Sequence, residues 1–162
     1  MHTGRLLALA GVVIGIIGLF LKALTTPGAN MLPALHTADP AFPVGVPTIW
    51  GGLATWAQIV LVILIVTVVV LALLGVRSAA MSRSSSLVTA VIGVALLAYS
   101  VVKYLDALNL AETMQAGMAR AAAGGMIPEA YTVSPGIGFF ILIIGTVLVI
   151  AGGLSGLRGS ES

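Results

Sequence analysis

The chain has 162 residues, of which 59% are hydrophobic and only 7% charged, with a net charge of +2 at pH 7 and no cysteine. A soluble domain carries about 25% charged residues, so a chain this apolar is not built to fold in water. Disulfides, thiolate metal sites and thiol nucleophiles are excluded, and the cations are too scattered to read phosphates, which argues against nucleic acid as a partner.

Four apolar runs order the sequence: Leu6 to Leu21, Leu53 to Val76, Leu87 to Val102 and Ile137 to Leu157, none containing Asp, Glu, Lys, Arg or His. A helix needs roughly 20 apolar residues to cross the ~30 Å core of a bilayer, and each run reaches that length with its uncharged flanks. The expected fold is therefore an all-α integral membrane protein, one four-helix bundle with spans near 6–24, 53–76, 86–107 and 135–157. The first run follows a short basic start, as a secretory signal does. Its length, and Pro27 in Thr26-Pro27-Gly28-Ala29 where cleavage wants small residues, favour a retained span.

After the first span comes a long loop, 25–52, holding Pro27, Pro33, Pro40, Pro43 and Pro47. Prolines at this density disfavour helix and break sheet ladders, which predicts an irregular or partly extended path. The loop is also apolar, and such side chains are not left in water without cause. It is expected to fold back over the rim of the bundle, to dock on another protein, or both; Met31, Leu32, Leu35, Phe42, Trp50 and, at the start of the next span, Trp56 are the candidate interaction residues.

The second span, with its run Ile59-Val60-Leu61-Val62-Ile63-Leu64-Ile65-Val66, is bulky all round and carries no spaced small residues. It is expected at the periphery, against lipid or another subunit. In the other three spans small residues step by seven: Gly4, Gly11, Gly18; Ser86, Gly93, Ser100; and Gly138, Gly145, Gly152. Association in lipid depends on close backbone approach at small residues, so Gly11, Gly18, Gly93, Gly138, Gly145 and Gly152 are the candidate packing positions joining spans one, three and four. Gly11-xxx-Gly15 and Gly152-xxx-Gly156 would also suit a homo-oligomer.

At the edge of the third span Lys103 and Asp106 lie three apart on one helical face, a polar anchor for a snorkelling ammonium. Residues 109–124 stay helix-favouring until Gly124-Gly125, and Asn109 followed by Glu112 forms a capping pair, so the third span either projects outward as one long rod or, the reading favoured, bends near Asn109 into an interfacial helix. Ser134-Pro135-Gly136 is read as the start of the fourth span, Ser capping and Pro in the first turn.

Arg5, Arg77, Arg83 and Arg158 flank the spans on one side, whereas residues 23–52 hold no Lys or Arg. The positive-inside rule then places both termini in the cytoplasm, and the localisation expected is a bacterial inner membrane; Lys22 and Lys103 sit at the opposite boundary. Trp50, Trp56, Tyr99, Tyr104, Tyr131, Phe139 and Phe140 gather at that same boundary as an aromatic belt would. This layout, with Trp50-Gly51-Gly52-Leu53 ending a long first outer loop, is similar in topology to the claudin-type tetraspan plan, although that family's outer-loop cysteine pair and full Trp-Gly-Leu-Trp signature are absent.

Chemistry has few residues to work with. His36 and Asp39 are the one close ligand-type pair, His2 and His36 fall on opposite sides and so cannot both hold a haem, and no nucleophile elbow or phosphate loop is present. Neither a catalytic nor a cofactor or metal site is expected. The function expected is a non-catalytic subunit that packs against other integral membrane proteins through the outer loop and second span. One alternative is an oligomeric channel or transporter component using Thr55, Gln58, Thr67, Thr89, Ser100 and Thr146. The other is a lipid-handling protein or enzyme working at the outer rim with His36, Asp106, Glu112 and Glu129.

Overall fold

The computed structural model describes residues 2–75 and 79–159, the last two by their backbone alone. Arg77, Val76 and the side chain of Arg158 therefore lie outside what is described. The chain is mostly helical, with four helices long and apolar enough to cross a membrane: α1 (Thr3–Phe20), α3 (Thr55–Leu73), α4 (Arg83–Ala123) and α5 (Gly138–Gly159).

The helices pack unequally. α1 and α5 run antiparallel in the closest contact of the molecule, because three pairs of glycines meet: Gly4 with Gly152, Gly11 with Gly145, and Gly18 with Gly138. A Cβ on Gly11 would lie 2.5 Å from the Gly145 carbonyl oxygen, and one on Gly145 only 2.6 Å from the Gly15 amide nitrogen. Nothing larger than hydrogen fits there. Ala8 and Val149 fill the intervals between the pairs, both buried. α4 lies on another face of α5: Gly93 admits Ile150, and a Cβ on Gly153 would meet Ala90 and the Ser86 carbonyl oxygen. Ser86 and Thr89 are fully buried there. The α1–α5 register also puts the first and last described residues at one end of the bundle.

Four features depart from the sequence reading. α4 is one unbroken helix of 41 residues with no bend at Asn109. Between Val102 and Ala123 there is no proline and only one glycine, Gly117, and the Asn109 carbonyl accepts from Thr113 Oγ within the helix instead of ending it. At 1.5 Å per residue α4 is about 60 Å long, twice the ~30 Å hydrocarbon core, so one half is long enough to cross a membrane and the other is surplus to it. Secondly, the proline-rich loop contains a short helix, α2 (Leu32–Ala38), because Pro33 falls in its first turn, where the missing N–H has no partner to lose. Thirdly, Ser134–Pro135 is strand β2, paired antiparallel with β1 (Leu24–Thr25), and α5 begins at Gly138. Finally, Arg5 is buried rather than a surface charge.

Residues 21–25 form the middle of this small antiparallel arrangement. The Ile49 amide donates to the Leu21 carbonyl and the Ala23 amide to that of Pro47, while the Gly136 amide donates to the Ala23 carbonyl on the other side. These bonds seat both connecting segments on the end of α1. Above them a headpiece closes around the projecting half of α4. Its buried stripe Ala107, Ala111, Met114, Met118 and Ala121 recurs every three or four residues, and packs with Leu24, Leu32, Leu35, Ile127 and Val133 in one continuous core. α4 ends in a glycine stop: Gly125 takes φ +71°, and the Met126 amide reaches back to the Ala121 carbonyl. The Val133 amide then donates to Gln115 Oε1 at 3.1 Å, tying the return segment to α4.

Candidate functional site: a headpiece cleft and an unpaired helix face

The boundary between bundle and headpiece is marked by aromatic rings. Tyr104 packs edge-on against Phe139 and Phe140 with centroids 6.0 and 5.5 Å apart, and Phe20 meets Trp50 at 6.2 Å. Lys103 Nζ donates to Asp106 Oδ2 at 2.8 Å and lies 5.8 Å from the centre of the Tyr99 ring. The anchor pair therefore sits in the aromatic layer, with both side chains partly exposed.

Of the candidate interaction residues, Leu32 and Leu35 are buried in the headpiece core, while Met31, Phe42 and Trp50 are half-buried against it. The outer loop thus folds on its own bundle, and its apolar content is largely consumed there. Trp56 is different: it is 66% exposed. It heads a stripe on α3 that continues through Ile59, Ile63, Val66, Val70 and Leu73, all exposed. These positions step by three and four, as do exposed Phe140, Ile144 and Val147 on α5, and exposed Val60 and Val62 widen the face on α3.

α3 is fastened at its ends. Gln58 Nε2 donates to the Trp50 carbonyl at 2.9 Å. At the far end Arg5, 3% exposed, donates to four carbonyls: Ala72 at 2.7 Å, Leu74 at 2.5 Å, Ala79 at 2.9 Å and Ala80 at 3.3 Å. The last carbonyls of a helix have no partner within it and carry its negative end, so the guanidinium satisfies α3's C-terminus and pins the link to α4. A lone arginine ahead of an apolar run reads in sequence as a topology marker. Nothing in its neighbours announces a clamp onto residues some 70 positions away.

The polar groups of the spans are spent locally. Thr67, Ser100 and Thr146 donate to the Ile63, Leu96 and Ile143 carbonyls of their own helices. Thr89 Oγ is the buried polar atom without a partner among the described residues. No group of three or more metal-ligating side chains occurs among the described residues. The outer-rim candidates do not converge: His36 and Asp39 line one side of α4, Glu112 the other.

Between the proline loop and α4 the headpiece holds a cleft of about 720 Å³, lined by Leu24, Phe42, Val46, Leu110, Met114, Gly117 and Met126, with His36, Asp39, Thr113 and Arg120 among them. His36 is turned by a contact of its Nδ1 with the Phe42 carbonyl, and Asp39 accepts the Ala41 amide at 3.0 Å. Gly117 lets the Phe42 ring seat directly on α4, since a Cβ there would stand 3.3 Å from two of its ring carbons. Neither Gly117 nor Arg120 carries a sequence signal for this role; only the folding of the loop onto α4 creates it. A chamber of this size, apolar with a few polar groups, has the form of a small-ligand site.

No protein-family model matches the chain, and no curated protein or solved structure matches it.

Proposed function

We propose that this protein is a non-catalytic integral membrane subunit that docks on another membrane protein through α3, in a bacterial inner membrane with both termini cytoplasmic. The observation carrying this reading is that α3 is the least buried of the four apolar helices, with a broad exposed face from Trp56 to Leu73, while every other span buries its small-residue face within the bundle. The cytoplasmic placement rests on Arg5, Arg77, Arg83 and Arg158 close to the span ends on one side in the sequence, against Lys22, Lys103 and Arg120 on the loop side. Locally satisfied polar groups favour this over a channel. A second reading, favoured by the 720 Å³ cleft, is that the headpiece holds a small apolar ligand.

Purification in mild detergent tests the first reading. Tagged protein should bring down a second integral membrane protein in fixed ratio, and Ile63→Lys should release it without unfolding the bundle. Recovery of the wild type only as a lone monomer overturns the proposal.

A further inference from the structure

Two cavities share one face of α4. Leu96, Tyr99, Ser100 and Lys103 line a narrow slot of about 40 Å³ inside the bundle, and Leu110, Met114, Gly117 and Arg120 line the headpiece cleft. These residues recur at helical spacing, so the face that looks into the bundle below looks into the cleft above. Lys103 stands at the junction, level with the start of α5. From there to Leu110 is about 10 Å along the helix, and from Leu110 to Arg120 about 15 Å more. The cleft opens just beyond the bilayer and rises from it.

Its walls suit an acyl chain, and two of the exposed side chains along it, Leu110 at 55% and Met126 at 59%, are apolar. At the far end Arg120 uses only Nε within the protein, on the Ala116 carbonyl at 3.4 Å, and no carboxylate lies within ion-pair distance of it among the described residues. Its two terminal nitrogens are free to grip a carboxylate side by side. Asp39 lines the same cleft as a fixed negative charge, which disfavours a phosphate dianion and leaves a single negative charge as the match for Arg120.

We propose that the cleft binds a long-chain fatty acid as its carboxylate, taken from the adjoining bilayer, with the chain along Leu110, Met114 and Met126 beside the Phe42 ring and the carboxylate on Arg120. This rests on the second reading above, that the cleft is a ligand site. Burial of methylenes supplies the affinity, and Arg120 supplies the choice of acid over neutral lipid.

The test is photo-labelling of the full-length protein in phosphatidylglycerol–phosphatidylethanolamine vesicles with a diazirine-bearing palmitate, the adducts mapped by mass spectrometry. Adducts should fall within 110–121 and 42–47 and be displaced by oleate. Arg120→Gln, an exposed position whose change leaves the fold intact, should weaken labelling about tenfold, the loss of one charge-assisted pair. The matching diazirine fatty alcohol should label both proteins at that lower level, and Leu110→Glu, at an exposed position of the apolar wall, should lower labelling by acid and alcohol alike. Adducts confined to α3, or not displaced by oleate, overturn the cleft as a ligand site. Equal labelling by acid and alcohol, unchanged by Arg120→Gln, keeps the ligand site and overturns the carboxylate assignment. Displacement by lysophosphatidylglycerol at lower concentration than oleate overturns that assignment too.

Discussion

The α1–α5 seam and α3 are two solutions to the same problem, holding an apolar helix in a solvent that is itself apolar. Along the seam three glycine pairs bring the backbones into contact, and attraction comes from many close atoms rather than from leaving water. α3 has no such glycines; it packs through Ala57, Leu61, Val68 and Ala72 with polar bonds at its two ends, and its opposite bulky face stays uncovered. The comparison teaches that composition alone, apolar in both cases, does not distinguish a core helix from one with a broad exposed face. The spacing of small residues does.

Substitution is the most direct way to break that contrast. Gly145→Val should cost at least about 3 kcal/mol, because the new Cβ meets backbone that cannot move aside, whereas Ile63→Ala on the exposed stripe should change stability by about 0.5 kcal/mol or less. Thermal unfolding in detergent measures both. Equal losses would remove the distinction. The headpiece supplies a third case: Met118 is fully buried on α4 beyond the membrane, and Met118→Ala should cost about 2–3 kcal/mol. Because the cavity lies outside the lipid, hydrogen exchange should rise in 32–38 and 111–121 and leave the α1–α5 seam unchanged.

The end of α3 comes next. Arg5→Met removes four donors and leaves helix-terminal carbonyls without partners, at about 2 kcal/mol. Limited proteolysis should then open the link between α3 and α4. Arg5→Lys should recover only part of the loss, since an ammonium lacks the planar fork that reaches four carbonyls. The smallest effect belongs to the Lys103–Asp106 pair, which is 35% and 58% exposed: Lys103→Ala should lower stability by under about 1 kcal/mol, by an amount that shrinks with added salt.

How far the sequence reveals this depends on the range of the interaction. Four spans follow from composition, since length and lack of charge are local properties. The seven-residue steps are also visible in the sequence, but that Gly11 faces Gly145 rather than Gly93 is a fact of register in three dimensions. Asn109 and Glu112 misled because a capping pair looks the same on the exposed side of an uninterrupted helix. Ser134-Pro135 misled similarly, because a strand partner over 100 residues away claims it before the helix starts. Arg5 and the cleft were illegible for one reason: each depends on a segment arriving from far along the chain, α3's last turn in one case and the proline loop in the other.

The account stands most heavily on α3 being a docking surface. Because the chain has no cysteine, single cysteines can be placed at Ile63 and Val66 on the exposed stripe and at Val13 on α1, 57% exposed on another helix. Each is modified with a photo-cross-linker and activated in native membranes. One discrete protein adduct from Ile63 and Val66, absent from Val13, is the predicted result; lipid adducts alone from all three positions would contradict it.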